Sequence, residues 1–586
     1  MVRMRKGICA VISIIMVLGF CLTSSAESVY TPGSYTASVE ARGGMMTVEV
    51  TVSEDRIESV TIVEHNESIG ISDYAIEHVP QDIVTYQSLG IDTVAGCTIT
   101  SASIIAAAGN ALSQAGADVA ALRGVEVVKQ LEPVSDITTQ VVVAGGGVSG
   151  LLAAMTAADH GADVVLIEKL PYLGGSLIVA GGGMVTVDSR LLDDTDIDDS
   201  LEPVLERMRT QNETSIRDMD YEFAGNLLAQ TGATMDYIAY DLGLEEYYYY
   251  EGLTYFGAGY EEVYRYTEVL ENLGATIIRD ATVTDIIMND GKAAGVAVTS
   301  EAGDFTVTAD KVIIATGGAS YDNERMLEAN PELAIIDFFN EAVVGNTGDG
   351  FRMLEEVGAL MGDGPYIKAA MPDYSTAFHF TWRTNQSFAN QIVVNAEGNR
   401  IASESMSKIY YNTYMLRNPS PAYYAIFDTV NTDQDFVAQM RELSQRENPR
   451  IVVYAETIEE LAEKAGIDPA NLRATFDRYQ QMCENRVDED FGKNPANMIP
   501  YAEEGGYFAA YQMPASWGTI GGAMTDEYMR VLSEDGSVIE NLFAVGENAT
   551  SNLFADYYFG GFSLGYYTTQ GRIAAETAVA EINAAT

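Results

Sequence analysis

Cysteine, histidine and basic residues are scarce in this chain of 586 residues, which has four cysteines and four histidines. Disulfide frameworks need many cysteines, and zinc or haem sites need clustered cysteine and histidine, so the sequence predicts neither a disulfide scaffold nor a metal site. Lysine and arginine total 33 against 85 aspartates and glutamates, giving a net charge of −52 at pH 7. Such a surface repels nucleic acid and anionic lipid, so neither is an expected partner.

The apolar run near the N-terminus is short. Three basic residues precede an apolar stretch at 7–22, and small residues at 24–26 form a candidate cleavage site. We predict that residues 1–26 are a secretory signal peptide and that the protein is exported to the periplasm, the cell surface or the medium. A retained membrane anchor is the alternative, although the run is short for a spanning helix. Lipid modification at Cys21 fits less well, because the bulky Phe20 precedes it.

A glycine-rich loop follows a β-branched run in the segment Thr139-Gln-Val-Val-Val-Ala-Gly-Gly-Gly-Val-Ser-Gly150. A helix of small residues is predicted over 151–160, and a second strand at 163–168 ends in Glu168. Glycines let the backbone approach a pyrophosphate at a helix N-terminus, and the acid accepts hydrogen bonds from ribose hydroxyls. Strand, loop, helix and acid in this order predict a dinucleotide-binding unit.

Downstream motifs indicate which dinucleotide binds. Segments at 173–183, 311–318 and 542–547 resemble, in order, three motifs of the FAD-binding fumarate reductase family, and 571–576 resembles its closing helix. That family includes fumarate reductases, urocanate reductase and, more distantly, ketosteroid dehydrogenases. The resemblance implies non-covalent FAD. The residues that it assigns to FAD binding are Gly145, Gly147, Gly150, Glu168, Gly174, Gly175, Ser176, Gly182, Gly183, Gly317, Gly318, Gly546 and Glu547.

A second flavin motif lies nearer the N-terminus. Residues 91–101 read Ile-Asp-Thr-Val-Ala-Gly-Cys-Thr-Ile-Thr-Ser and resemble the Asp-x-x-(Ser/Thr)-Gly-Ala-Thr motif of the FMN-binding domain family. The resemblance places Asp92 at the start, Gly96 at the turn and Thr98 at the position that carries FMN through a phosphoester bond. The alternative is a turn entering a helix at 102–112, with Thr98 or Ser101 as its N-cap.

The fold class expected from these motifs is α/β, with an α+β N-terminal domain that opens with alternating strands. We predict an FMN-binding domain at 31–125, followed by a Rossmann-like FAD domain in two parts, 136–362 and 516–586. A capping domain at 363–515 is expected between the two parts, with the substrate at their junction.

The catalytic motifs of the fumarate reductases are altered. Their Gly-x-Arg-Phe-x-x-Glu-x-x-x-Arg appears at 398–408, with Lys408 in place of the arginine that acts as the acid. Their His-His-Thr-Met-Gly-Gly appears at 517–522 without either histidine, and their Asn-Arg-Leu-Gly-Gly appears at 557–561 without the arginine that binds carboxylate. A buried carboxylate needs paired charge, so fumarate itself is not the expected acceptor.

Aromatic residues replace these anchors and predict a wider pocket for a ring-bearing or mostly apolar substrate. The candidate acids are Tyr558 and, if burial lowers its pKa, Lys408. The alternatives are that Lys408 is a surface side chain and that the tyrosines only pack the cap. His379 and Arg383 lie in the same region, but the sequence does not determine where their side chains point. The candidate pocket residues are Trp517, Gly522, Tyr557, Gly560 and Gly561.

The combined resemblance implies an exported oxidoreductase with two flavins. Electrons from a membrane-associated donor would pass through FMN on Thr98 to FAD and leave as hydride to the C=C bond of an α,β-unsaturated organic acceptor. A flavin transferase would attach the FMN. The alternatives are a flavin dehydrogenase resembling the ketosteroid enzymes, working in the oxidative direction, and a flavoprotein that only transfers electrons.

Overall fold

The computed structural model describes residues 29–129, 131–370, 373–374, 391–446 and 448–585. The predicted signal peptide, His379 and Arg383 lie outside these ranges. Within them, no helix combines the length and the apolar character needed to cross a bilayer. Mixed helices and strands give the α/β class that the sequence predicts.

The N-terminal unit is an antiparallel sheet covered by helices. Its strands are Gly33–Ala41, Gly44–Val52 and Ile57–Glu64. Alternate residues of the central strand are buried, as a strand with one solvated face requires. The helices that complete the unit are Asp73–Tyr86, Thr98–Gln114 and Val119–Arg123.

The FAD-type sheet holds eight of the described strands. At its centre, Ile137–Ala144 pairs in parallel with Val164–Ile167 on one side and with Gly303–Ile314 on the other. Both faces of the sheet are covered at its centre, so residues 141–144 and 164–167 are continuously apolar and buried. The other strands of this sheet are Thr276–Ile278, Ala281–Asn289, Lys292–Ser300, Arg530–Leu532 and Val538–Ala544.

Two helices pack against each other beside this sheet and fix the glycine loop. Val148–Asp159 follows the loop, and Phe562–Ala585 closes the chain against it. Both helices contribute to the largest apolar core. The remaining helices of this part are Leu201–Gln211, Tyr221–Leu228, Thr231–Asp236, Gly259–Asn272, Asn323–Ala329 and Asp349–Glu356. Its short strands are Met184–Val185, Tyr248–Tyr250, Leu253–Tyr255, Phe339–Asn340, Tyr366–Ala369 and Ala515–Ile520.

A separate antiparallel sheet lies within the predicted capping region. Its strands are Asp373–Tyr374, Ile392–Asn395, Tyr423–Asp428, Val452–Ala455 and Tyr507–Met513. Its helices are Lys408–Arg417, Gln434–Ser444, Ile458–Ala465 and Pro469–Asn485. This sheet has apolar cores of its own, which include the fully buried Ile426 and Phe508.

Candidate active site

The glycine loop brings the chain from the central strand directly into a helix. Gly145 takes φ +106°, a left-handed conformation that favours glycine, and Gly147 immediately precedes the helix Val148–Asp159. A Cβ at Gly150 would lie 1.9 Å from the carbonyl oxygen of Gly145, whereas one at Gly147 would meet no atom within 4 Å. Gly150 therefore permits close packing, and Gly147 leaves room for a ligand at the helix N-terminus.

A cavity of about 440 Å³ is lined by this loop and by three of the predicted pocket residues, Trp517, Gly560 and Gly561. It brings together many of the residues that sequence motifs single out, from both parts of the predicted FAD domain. These residues are Gly145, Gly147, Glu168, Gly175, Ser176, Gly182, Gly183, Gly317, Trp517, Gly546, Glu547, Tyr558, Gly560 and Gly561.

Four other predicted glycines stand outside the described lining of the cavity: Gly150, Gly174, Gly318 and Gly522. Two of them pack against the residues that follow Gly546. A Cβ at Gly318 would lie 2.1 Å from a carboxylate oxygen of Glu547, and one at Gly522 would lie 2.1 Å from the carbonyl oxygen of Asn548. The structure thus places these glycines where a side chain would push the cavity wall out of position.

Glu168 is buried at the nucleotide end of the cavity, just after the strand Val164–Ile167. Its carboxylate accepts hydrogen bonds from the backbone N–H groups of Gly146 at 2.7 Å and Leu170 at 2.8 Å. Burial raises the pKa of this carboxyl group, and the two backbone donors oppose the rise. The side chain is therefore held rigidly beside the glycine loop.

A buried ion pair that the sequence analysis missed lies at the opposite end. The Nζ of Lys368 donates to the carboxylate of Glu547 and to the hydroxyl of Tyr567 at 3.5 Å, and the lysine and glutamate side chains are 5% and 4% exposed. Burial is the largest single effect and lowers the pKa of Lys368, but the Glu547 carboxylate, together with Tyr567 and Tyr558, raises the pKa above its usual value. The sequence signal was a lysine inside the otherwise apolar or aromatic strand Tyr366–Ala369.

Aromatic rings form the wall beside this ion pair. The ring of Trp517 meets that of Tyr558 edge to face, with centroids 5.6 Å apart. The indole N–H of Trp517 donates to the carboxylate of Glu341 at 2.8 Å, which fixes the ring. Tyr558 is itself buried and lines the cavity. The ring of Tyr558 is therefore part of the aromatic wall of the cavity.

Tyr557 lies beside Tyr558 in the chain but outside the described lining of the cavity. Its hydroxyl is 2.9 Å from the hydroxyl of Thr214 and accepts a hydrogen bond from Arg417 at 3.3 Å. The contact with Arg417 attaches Tyr557 to the helix Lys408–Arg417 of the capping region. The two neighbouring tyrosines therefore point to different surroundings.

Lys408 is the first residue of that helix and is also outside the described lining. Two residues of the same sequence motif are buried within the capping region. Arg400 donates to Glu404 at 2.7 Å and to Asp488 at 2.9 Å, which holds the pKa of Asp488 at about 2 against the effect of burial. Arg400 and Glu404 therefore pair with charges inside the cap.

The predicted FMN attachment loop is far more open than the cavity. Gly96 turns the chain at φ +81°, and Thr98 is the exposed first residue of a helix whose N-cap is Cys97. By contrast, Thr100 is buried and hydrogen-bonded to the carboxylate of Glu67. The helix begins four residues earlier than the predicted 102–112, and Thr98 is not its N-cap.

Ser101, which also carries a hydroxyl in the first turn of this helix, is buried as well. It donates to the carbonyl of Cys97 at 2.9 Å and accepts from the N–H of Val94 at 3.1 Å. Asp92 is exposed and pairs with Lys129 at 3.3 Å. Among the hydroxyls of Thr98, Thr100 and Ser101, that of Thr98 is therefore the accessible one. It lies at a helix N-terminus, where free backbone N–H groups favour a phosphate.

One tyrosine joins the attachment loop to the cavity wall. Tyr172 packs against the apolar cores of both units, and its hydroxyl is 3.4 Å from the carbonyl oxygen of Ala95. A Cβ at Gly96 would lie 2.3 Å from the Tyr172 hydroxyl and 3.5 Å from a methyl group of Val344. Val343 and Gly345, on either side of Val344, line the cavity.

The fold and the cavity define a flavin-dependent oxidoreductase. The FAD binding domain model matches residues 248–564, more than half of the chain, and the protein belongs to this family. The model of FAD dependent oxidoreductases matches 140–321, and that of the FMN-binding domain matches 42–113. The chain therefore carries an FMN-binding domain ahead of an FAD-dependent oxidoreductase.

Similar proteins include two reductases. The NADH:acrylate oxidoreductase of Vibrio harveyi is 27% identical over 94% of this chain, which spans 61% of that protein's length. The urocanate reductase of Eggerthella lenta is also 27% identical, over 88% of this chain and 87% of its own length. A solved structure of a 3-ketosteroid Δ4-(5α)-dehydrogenase from Rhodococcus jostii RHA1 shares the fold, with a TM-score of 0.60 and 22% identity over 77% of this chain and 100% of that one.

Proposed function

We propose that this protein is an exported two-flavin reductase that transfers hydride to the activated C=C bond of an α,β-unsaturated organic acceptor. The observation that carries the proposal is the cavity, which joins a dinucleotide cradle at one end to the buried Lys368 and an aromatic wall at the other. The reductases of acrylate and urocanate named above support the reaction class.

The residues of the cavity fit FAD. The open space at Gly147 suits a pyrophosphate at the helix N-terminus, and the buried Glu168 suits the ribose hydroxyls. Gly546 and Glu547 face the same cavity from the closing segment and would hold the flavin's ribityl chain. When bound, FAD supplies the hydride, which adds to one carbon of the double bond.

Tyr558 is the preferred proton donor. Reduction of C=C to CH–CH needs one hydride and one proton, and the proton must reach the second carbon from a group at the acceptor. Tyr558 lines the cavity, whereas Lys408 begins a helix outside its described lining. Lys408 remains the other candidate and would need a change in the position of the cap to reach the acceptor.

We propose that FMN is attached to Thr98 through a phosphoester bond made by a flavin transferase. The exposed hydroxyl at a helix start supports this choice over the buried Thr100 and Ser101. A membrane-associated donor would reduce the FMN, and electrons would pass to FAD across the contact between the loop and Tyr172. Export through residues 1–26 would place this pathway outside the cytoplasm.

The test is anaerobic re-oxidation of the dithionite-reduced holoprotein by a panel of acceptors, which comprises fumarate, crotonate, cinnamate and the enone 4-phenylbut-3-en-2-one. We expect rapid re-oxidation by an aromatic enoate or enone and little response to fumarate, since the wall carries Trp517 and Tyr558. Fast reaction with fumarate alone would contradict the expected acceptor class.

The aromatic wall also favours a second candidate, a flavin dehydrogenase working in the oxidative direction. Reduction of the oxidised holoprotein by a saturated ketone or steroid, with no re-oxidation by the panel, would support it. If the flavin responds in neither assay, the remaining hypothesis is a flavoprotein that only transfers electrons.

A further inference from the structure

Only two cations, Lys169 and Lys368, are among the described residues that line the cavity. Lys169 follows Glu168 at the nucleotide end, and its Nζ is 2.7 Å from a carboxylate oxygen of Asp349. Lys368 lies at the aromatic end. An acceptor that receives hydride develops negative charge on its electron-withdrawing group, and that charge needs a cation or hydrogen-bond donors.

The ammonium group of Lys368 lies among the side chains that would surround an acceptor. Its Nζ is 5.9 Å from the ring centroid of Tyr558 and 5.4 Å from that of Tyr567. Tyr558, Tyr567 and Lys368 all line the cavity. A bound molecule that touches the Tyr558 ring is therefore within reach of the Lys368 N–H groups.

The position of Lys368 is fixed by contacts within the cavity wall. Its Nζ is bound to one carboxylate oxygen of Glu547, and the other oxygen accepts from the backbone N–H of Thr519 at 3.1 Å. An ammonium group has three N–H bonds, and the hydrogen bonds of Lys368 to Glu547 and Tyr567 use two of them. A third N–H bond is left to meet a ligand.

We infer that Lys368 recognises the electron-withdrawing oxygen of the acceptor, and that the acceptor carries a single carbonyl or carboxylate group on an apolar body. This inference rests on the proposed function and specifies its substrate class. A second carboxylate would find no further cation among the described lining residues of the aromatic end, where Glu341 and Glu547 already supply negative charge. Such a group would be desolvated without a partner.

The competing role for Lys368 is a counter-ion that only neutralises Glu547. Two sets of variants separate the roles. The double variant Lys368→Met with Glu547→Gln removes both charges together, and Lys368→Arg keeps the cation in an altered shape. The matched control is Lys464→Met with Glu460→Gln, which removes an exposed lysine–glutamate pair 2.8 Å apart on the helix Ile458–Ala465.

The first readout is binding to the oxidised holoprotein, followed through the flavin absorbance. The probe is the saturated product of the fastest panel acceptor, 3-phenylpropionate if that acceptor is cinnamate. We expect the double variant to retain FAD, because the amide introduced by Glu547→Gln can still hydrogen-bond the ribityl hydroxyls. Probe binding should weaken by roughly 10- to 100-fold, the range for a hydrogen bond to a charged group. The control variant is expected to bind the probe as the unmodified protein does.

The second readout is the KM of that acceptor in the reduced protein. We expect Lys368→Arg to change KM less than the double variant does, because it retains a donor cation. Unchanged probe binding and KM in the double variant would overturn the inference. Loss of FAD from both Lys368 variants would also overturn it, because Lys368 would then belong to cofactor binding together with Glu547. A panel with no reactive acceptor would instead contradict the proposed function itself.

Discussion

The two flavin-binding regions of this protein differ in how far they enclose a ligand. The FAD-type cavity is walled by glycines, apolar residues and buried charges from distant parts of the chain. The FMN-type loop presents the exposed Thr98 at the start of a helix. Contacts on many sides can retain a cofactor in the first region, whereas the second offers few contacts and would depend on a covalent bond.

The same difference separates two kinds of chemistry. Hydride transfer needs a reacting carbon fixed near a proton donor and shielded from water. In the proposed mechanism, Tyr558 and Lys368 of the cavity lining serve this purpose. Electron transfer needs only proximity, and an exposed flavin can meet a partner protein. Under the proposed function, acceptor reduction takes place in the enclosed region and electrons enter through the open one.

The largest expected effect is on the open region. Thr98→Ala should abolish covalent FMN, because the replacement removes the accessible hydroxyl, while non-covalent FAD is retained. Intact mass measures this loss as one FMN less water. Thr93→Ala, another exposed threonine nearby, is the control and should keep the adduct. Survival of the adduct in the Thr98→Ala protein would assign attachment to another residue.

A large effect is also expected in the enclosed region from one of two adjacent tyrosines. Tyr558→Phe should slow acceptor-driven re-oxidation by roughly 100-fold or more, as loss of a general acid does. Tyr557→Phe should have the smaller effect on re-oxidation and lower stability by about 1 kcal/mol, because it loses hydrogen bonds to Thr214 and Arg417. Stopped-flow absorbance and thermal unfolding measure the two effects. Equal rates in both variants would remove Tyr558 from the proton-donor role.

The smallest effect is expected at the junction of the two regions. Tyr172→Ala should weaken packing between them by about 1–2 kcal/mol, because the ring is partly buried against both cores. When fully reduced protein is mixed with excess acceptor, we expect a fast phase of FAD re-oxidation and a slow phase in which FMN passes its electrons to FAD. In Tyr172→Ala protein the slow phase should become several-fold slower, and the fast phase should not change. Tyr172→Phe keeps the ring and should behave nearly as the original. A slow phase that persists in Thr98→Ala protein would show that it does not report on FMN.

Local motifs allowed much of the cofactor-binding region to be predicted from the sequence. The glycine loop, Glu168 and the closing Gly546-Glu547 segment are encoded by residues close together in the chain, and the structure places them around one cavity. Lys368 was not predictable in this way, because its partner Glu547 is 179 positions away. The directions of Tyr557 and Tyr558 also depended on their distant neighbours, since identical side chains stand side by side.

The contact between Tyr172 and the attachment loop determines where the chain can be divided for experiments. The exposed stretch around residues 131–136 would be the obvious place to separate the FMN-type part from the FAD-type part. A fragment beginning at residue 136 would present the aromatic face of Tyr172 and the neighbouring methyl groups of Val344 to water. Such a fragment is expected to aggregate more readily and to be less soluble than the intact protein. Electron transfer between the two flavins is therefore better studied with single substitutions than with truncated proteins.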